Sequence, residues 1–134
     1  MKSLHNDVFD NGLNAIKTNA NKMVLCKQPP TTFIEANNLD TDVTPGFKVA
    51  EVAMAAVDYT VQDRAAGGRE IVAALKNGVV PLDTSLATDD LHIAYVDTVN
   101  SKLLWVTNET TDQAILLANL INFPALKVGL PDPV

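Results

Sequence analysis

The alternation of apolar and polar positions is sharpest over residues 91–107, LHIAYVDTVNSKLLWVT, where two apolar arms flank a polar turn holding Asp97, Asn100 and Ser101. This pattern predicts a β-hairpin. On the first arm Leu91, Ile93 and Tyr95 alternate with His92, Ala94 and Val96, so that arm is apolar on nearly both faces. On the second, Leu103, Trp105 and Thr107 alternate with Lys102, Leu104 and Val106. A strand apolar on both faces needs side chains packed above and below it, which places the hairpin at the centre of a sandwich or barrel. The only Trp, Trp105, stands on the second arm and belongs to the same core.

Residues 4–19 change the period. Leu4, Val8, Phe9, Gly12, Leu13 and Ile16 form one apolar stripe at helical spacing, with Asp7 and Asp10 early and Lys17 late, as the helix dipole favours. Gly12 and three asparagines, Asn11, Asn14 and Asn19, lower helix propensity, so packing must supply much of the stability. Such a stripe either covers a sheet of its own chain, the commoner use, or docks on a neighbour.

The run Met23-Val24-Leu25-Cys26 reads as a strand that Pro29-Pro30 stops. Residues 28–46 read as a long polar loop with room for one helical turn, anchored by Phe33, Ile34, Leu39 and Val43. Loops of this length are commonly contact-making. Residues 47–57, rich in alanine, fit a strand or a short helix, and we read a strand. Tyr59 and Val61 mark another strand, residues 63–68 a turn, and residues 69–75 a further strand. Lys76-Asn77-Gly78 is read as a tight hairpin turn, because Asn-Gly supplies positive φ, with Val79, Val80 and Leu82 returning and Pro81 marking an edge. A polar link over residues 83–90 leads to the central hairpin. Residues 114–117 and 120–130 supply the last strands, with Leu126, Val128 and Leu130 on one face, before Pro131-Asp132-Pro133 stops the sheet.

These elements predict a mainly β protein, an antiparallel β-sandwich of about seven to nine short strands behind one N-terminal amphipathic α-helix. One domain spans residues 1–134, with the helix at 4–19 and the sandwich at 22–130, interrupted by the loop at 28–46. At 134 residues the chain is long enough for one core without staples.

Composition narrows the partners. Apolar residues make up 47% and charged residues only 19%, which suits a globular fold whose uncharged surface is open to protein contacts. The net charge is −6 and the basic residues are scattered singly, so phosphate backbones and anionic membranes are poor partners. No apolar run is long enough to span a bilayer. Asp7 and Asp10 interrupt the place where a secretory signal would need an apolar core, so a start in a cytoplasm is expected.

Candidate chemistry is sparse. Cys26 is the single cysteine, which excludes an internal disulfide and reads as a small buried apolar group. His5 and His92 have no second ligand at metal-binding spacing, although folding could bring Cys26 and His92 together as nucleophile and base. Asp89-Asp90, or Asp83 with Asp97, could offer oxygen ligands, but the ordered spacing of a calcium loop is absent and a solvated acidic rim is the simpler account. Gly67-Gly68-Arg69 lacks the Lys-Ser/Thr and the strand-to-helix setting of a phosphate loop. Tyr59, Tyr95 and Trp105 fall inside strand patterns, which assigns them to the core rather than to a stacking platform. We expect no catalytic residue, no metal and no cofactor.

In the order of its features the chain resembles a family of small virion proteins of tailed bacteriophages, the head decoration and head fibre proteins. The resemblance rests on Asp7-Val8-Phe9-Asp10-Asn11-Gly12-Leu13, Lys22-Met23-Val24-Leu25-Cys26, Pro30-Thr31-Thr32, Gly67-Gly68-Arg69, His92-Ile93-Ala94, Val96-Asp97, Leu103-Leu104-Trp105-Val106-Thr107, Asn122-Phe123-Pro124-Ala125 and Pro131-Asp132-Pro133. It implies a non-enzymatic subunit, made in the host cytoplasm and carried in the virion. It also implies a homo-oligomer that binds other virion proteins, the major capsid protein first among them, through the helix or the long loop. The alternative from a different class is a receptor- or carbohydrate-binding module of a fibre, tail or collar, since β-sandwiches often present loops for such work. A small hydrolase ranks third, for want of a nucleophile, base and orienting acid in a recognisable setting.

Overall fold

The computed structural model describes residues 5–108 and 111–132. Leu4 of the predicted helix and Pro133 of the terminal stop lie outside the described residues. The described residues are mainly β, with nine strands in antiparallel sheets and one long helix at the N-terminus.

Helix α1 (Asn6–Asn19) begins at His5, whose Nδ1 accepts the N–H of Asp7 at 3.2 Å. Phe9 and Leu13 are its buried face. Asp10 takes two hydrogen bonds from Arg69, at 2.7 Å from Nε and 3.1 Å from Nη2, and Arg69 Nη1 reaches Asp63 at 2.8 Å. The helix therefore covers a sheet of its own chain with Phe9 and Leu13, while Val8 stays exposed.

Strands β1 (Lys22–Cys26), β2 (Lys48–Ala53), β6 (His92–Asp97) and β7 (Lys102–Thr107) form a four-stranded sheet in the order β2-β1-β6-β7. Met23 lies opposite Tyr95 and Leu25 opposite Ile93, so their side chains share a face. That face meets Tyr59, Ile71, Ala73, Phe123 and Leu126 in the main core. The Tyr95 and Trp105 rings stack at 4.3 Å, and Tyr59 meets Tyr95 edge-on at 6.2 Å. Such a pair contributes about 0.5–1.5 kcal/mol beyond the area it buries.

Val24, Cys26, Ala94 and Val96 point the other way and are buried with Ala36, against which Phe33 and Phe47 pack. Phe33 and Ala36 belong to α2 (Phe33–Asn37), the helical turn expected inside the long loop. It forms because Thr32 and Glu35 cap it reciprocally, the Thr32 hydroxyl accepting from Glu35 N–H and the Glu35 carboxylate from Thr32 N–H. The central hairpin is thus covered on both faces, as its pattern demands.

Strands β3 (Tyr59–Asp63), β4 (Arg69–Ala73) and β9 (Leu126–Leu130) make a three-stranded sheet. The turn between β3 and β4 needs glycine. Gly68 has φ +88°, and a Cβ there would collide with the carbonyl oxygen of Leu130.

Two expectations are corrected. Lys76-Asn77-Gly78 is not a hairpin turn returning to residues 79–82. It lies within strand β5 (Lys76–Val79), which pairs with β8 (Ile121–Phe123), and the register shifts between Lys76 and Val79. Gly78, at φ +71°, relaxes an irregularity in the strand, and its N–H donates to Asn122 Oδ1 at 3.0 Å. Residues 114–117 are not a strand either. Only Ile115 joins a ladder, through a single antiparallel bridge to Ser85.

Candidate functional site

The groups that could carry chemistry are engaged in holding the fold. The register of β1 and β6 sets Cys26 directly across from His92, so folding does bring the two together. It does not make them a dyad. The thiol faces the Ala36 carbonyl at 3.9 Å, and the His92 ring faces the Asp90 carbonyl at 3.0 Å. Burial pushes the Cys26 thiol up to about 12, with Glu35 adding to the shift and Lys48 opposing it, so the sulfur stays protonated and unreactive near neutral pH. His5 is an exposed helix cap.

The acidic rim closes turns. Asp97 is buried and accepts from the Asn100 side chain at 2.8 Å and from the N–H groups of Val99 and Asn100 at 2.9 and 3.1 Å. The Asn100 side chain first, then these backbone donors, hold its carboxyl below the usual carboxylate value. Asp89 accepts from Leu86 N–H and Gln28, and Asp83 accepts from Thr84 N–H and pairs with Lys27 at 3.5 Å. Asp90 stands beside His92 at 3.5 Å. Among the described residues no three metal-ligating side chains converge. Gly67 and Gly68 shape the β3–β4 turn, and Arg69 is committed to Asp10 and Asp63. Tyr59, Tyr95 and Trp105 are buried, so none forms a stacking platform.

Exposed apolar surface is the feature left over, and the sequence pattern did not single it out. The pair Val79–Ile121 and the bridge Ser85–Ile115 share one antiparallel register. Residues 79–85 and 115–121 therefore run in opposite directions between the same two fixed points. Along and just beyond these segments, Val80, Leu82, Leu86, Leu116, Leu117 and Leu120 each leave 48–68% of their surface open. Within residues 113–122 lies a groove of about 340 Å³ lined by Ala114, Ile115, Leu116, Leu120 and Ile121 together with Gln113, Asn119 and Asn122, and its surface is mostly polar. No charged residue occurs over residues 113–126.

The local reason is visible in the bonds. Ser85 and Ile115 exchange N–H···O bonds at 3.1 and 3.2 Å, and the Ser85 hydroxyl accepts from Ile115 N–H at 3.0 Å. Each segment then turns at once, Asp89 N–H donating to Leu86 O and Asn119 N–H to Leu116 O. These turns carry the leucines to the outside. Leu116 and Leu120 line that groove, whereas Leu86 lines a separate one with Lys27, Asp40, Asp83 and Asp89. Exposed aliphatic side chains gathered on one short segment mark an interaction site more often than ones scattered singly.

No family of known proteins, no curated protein and no solved structure matches the chain.

Proposed function

We propose that the chain is a non-enzymatic structural subunit of a tailed-phage particle, a head-associated decoration or cement subunit that binds other capsid proteins. The observation that carries this reading is the uncharged segment over residues 113–122 with Leu116, Leu117 and Leu120 exposed, set on a β scaffold in which, among the described residues, no three metal-ligating side chains converge. The order of sequence features shared with virion proteins supplies the setting, and the net charge of −6 suits protein partners rather than nucleic acid. Among the described residues no helix is long and apolar enough to cross a membrane. Attachment by α1 is disfavoured because Phe9 and Leu13 cover its own sheet, and attachment by the long loop is restricted because Phe33, Ala36 and Phe47 pack inward.

The test is cryo-electron microscopy of purified particles, with the chain fitted and its copies counted. Copies at repeated lattice positions are the expected result. Absence from the particle overturns the reading, and confinement to neck or tail overturns the decoration role. A receptor- or carbohydrate-binding role would call for exposed aromatic residues beside polar loops, whereas the strand aromatics here are buried.

A further inference from the structure

We infer that the groove between the β3–β4 turn and β9 is a binding site for a small hydroxy-dicarboxylic acid, its carboxylates held by Arg64 and Lys127 and its hydroxyl donating to Glu70. The inference goes beyond the assembly reading and uses none of the residues that line the 113–122 groove.

Strand register puts the site together. Glu70 lies opposite Gln62 on β3 and Gly129 on β9, and Lys127 stands two residues before Gly129, so these residues share one face of the sheet. Arg69 and Ile71, its neighbours in the chain, point the other way, toward Asp10 of α1 and the main core. Glu70 is nevertheless only 5% exposed on the face away from α1. Its Oε2 accepts from Gln62 Nε2 at 3.0 Å and lies 3.9 Å from Lys127 Nζ, whereas among the described residues its Oε1 takes no hydrogen bond. A carboxylate this deep is normally satisfied at both oxygens. Glu70 lines a groove of about 300 Å³ with Arg64, Ala65, Ala66, Lys127 and Gly129, a volume at the lower end of small-ligand sites.

Arg64 is the second observation. Arg69 is paired with Asp10 and Asp63, but Arg64 meets no carboxylate among the described residues, although acidic residues outnumber basic ones by 16 to 10. Its Nη1 donates to the Gly67 carbonyl at 3.2 Å, which anchors the side chain and leaves Nε and Nη2 without an acceptor. Gly129 makes the seat. A Cβ there would lie 2.7 Å from Arg64 Cδ and 2.9 Å from Nε, and Gly129 is not one of the positive-φ glycines, so what its missing side chain provides is room for Arg64. Glycine inside a strand weakens it and marks such close approaches.

The ligand class follows from the three charges. A guanidinium and an ammonium bind carboxylates through charge-assisted bonds, and Lys127, 66% exposed, is loosely enough held to reach one. The Glu70 acceptor between them repels a ligand that offers only carboxylates. A hydroxyl supplies the missing donor, without the positive charge that would set an amine against Arg64 and Lys127.

The experiment is an NMR titration of the nitrogen-15-labelled full chain with L-malate and, in parallel, with succinate, which differs only in lacking the hydroxyl, at constant ionic strength. The chain has two arginines, so the Arg64 Nε–H signal is read against that of Arg69. The expected result is a saturable shift at Arg64 with Arg69 unmoved, and binding of succinate about tenfold weaker, as the loss of one hydrogen bond to a charged acceptor requires. Gly129→Ala displaces Arg64 without altering any charge and should weaken malate about tenfold or more. Lys127→Gln should weaken it as well, whereas Lys102→Gln, the same charge change at an exposed position on β7, should not. The spectrum itself reports folding, and Lys127→Gln carries the test if Gly129→Ala does not fold. A shift that never saturates, that moves Arg69 equally, that is as strong with succinate, or that survives Lys127→Gln overturns the inference.

Discussion

Residues 91–96 and 114–120 are both aliphatic runs, and the fold treats them in opposite ways. In the first, Leu91, Ile93, Ala94, Tyr95 and Val96 are buried, because β6 has a hydrogen-bonded partner on each side and a packed layer above and below. In the second, Ile115 alone is buried, while Leu116, Leu117 and Leu120 stand open. Apolar content says that a segment gains by being covered. Whether its own chain can cover it depends on laddering, since a strand without partners must leave its backbone bonded to turns or water. The second run has one bridge and then a turn. Its residues agree with that outcome: residues 116–120 contain no β-branched or aromatic side chain, whereas Ile93, Tyr95 and Val96 are all good strand formers.

The comparison breaks most sharply under one matched substitution. Leu91→Ala should cost about 2–5 kcal/mol, because Leu91 is 1% exposed and its removal leaves a cavity in the main core. Urea unfolding of the dilute variant measures this. A loss below about 1 kcal/mol would mean that the central hairpin is less firmly packed than its burial indicates.

The strength of this contrast explains what was readable. The central hairpin, the helix over residues 6–19, the strand ending before Pro29-Pro30 and the turn inside the long loop follow from local pattern, because each has apolar spacing and end signals that agree. Asn-Gly misled, because positive φ at Gly78 serves an irregular strand as well as a hairpin, and β5 finds its partner more than 40 residues away at Asn122. The neighbourhood of residues 79–85 and 115–121 was hidden for the same reason, since only the long-range register of Val79 with Ile121 and Ser85 with Ile115 joins them. The juxtaposition of Cys26 and His92 likewise depends on strand register, which composition does not encode.

The next effect is a pH dependence at the end of β6. Asn100's side chain, then the Asn100 and Val99 N–H groups, hold the Asp97 carboxyl below its ordinary value of 3.8, so folding favours the ionised form. That contribution is fully present above the unfolded value and is lost as pH falls through the lower folded one. Asp97→Ala should lower the midpoint at neutral pH and reduce the further loss on acidification below 3.8. Paired urea titrations at neutral and acid pH test it, and an unchanged acid slope would remove Asp97 from the account. Other paired carboxylates, Asp10 and Asp58 among them, shift the same way and leave the variant some acid sensitivity.

A smaller effect is kinetic. Cys26 stands on β1, directly bonded to β6, and its thiol is buried and raised to about 12. Its neutral form is favoured by folding fully below the ordinary 9.0, and this contribution fades as pH rises toward about 12. At neutral pH an alkylating reagent should label Cys26 only as fast as the sheet opens. Rapid stoichiometric labelling of the native chain would show that the α2 layer lifts off the central sheet without global unfolding.

The smallest effect comes from the partner of the matched pair. Leu117→Ala should change the stability of the dilute chain by no more than about 0.5 kcal/mol, because the side chain is 58% exposed. The cost of Leu91→Ala contains a cavity term that Leu117→Ala lacks. Urea unfolding of both dilute variants separates the two kinds of leucine, one buried by its own chain and one left open. A cost as large as that of Leu91→Ala in the dilute chain would erase the difference between the two runs.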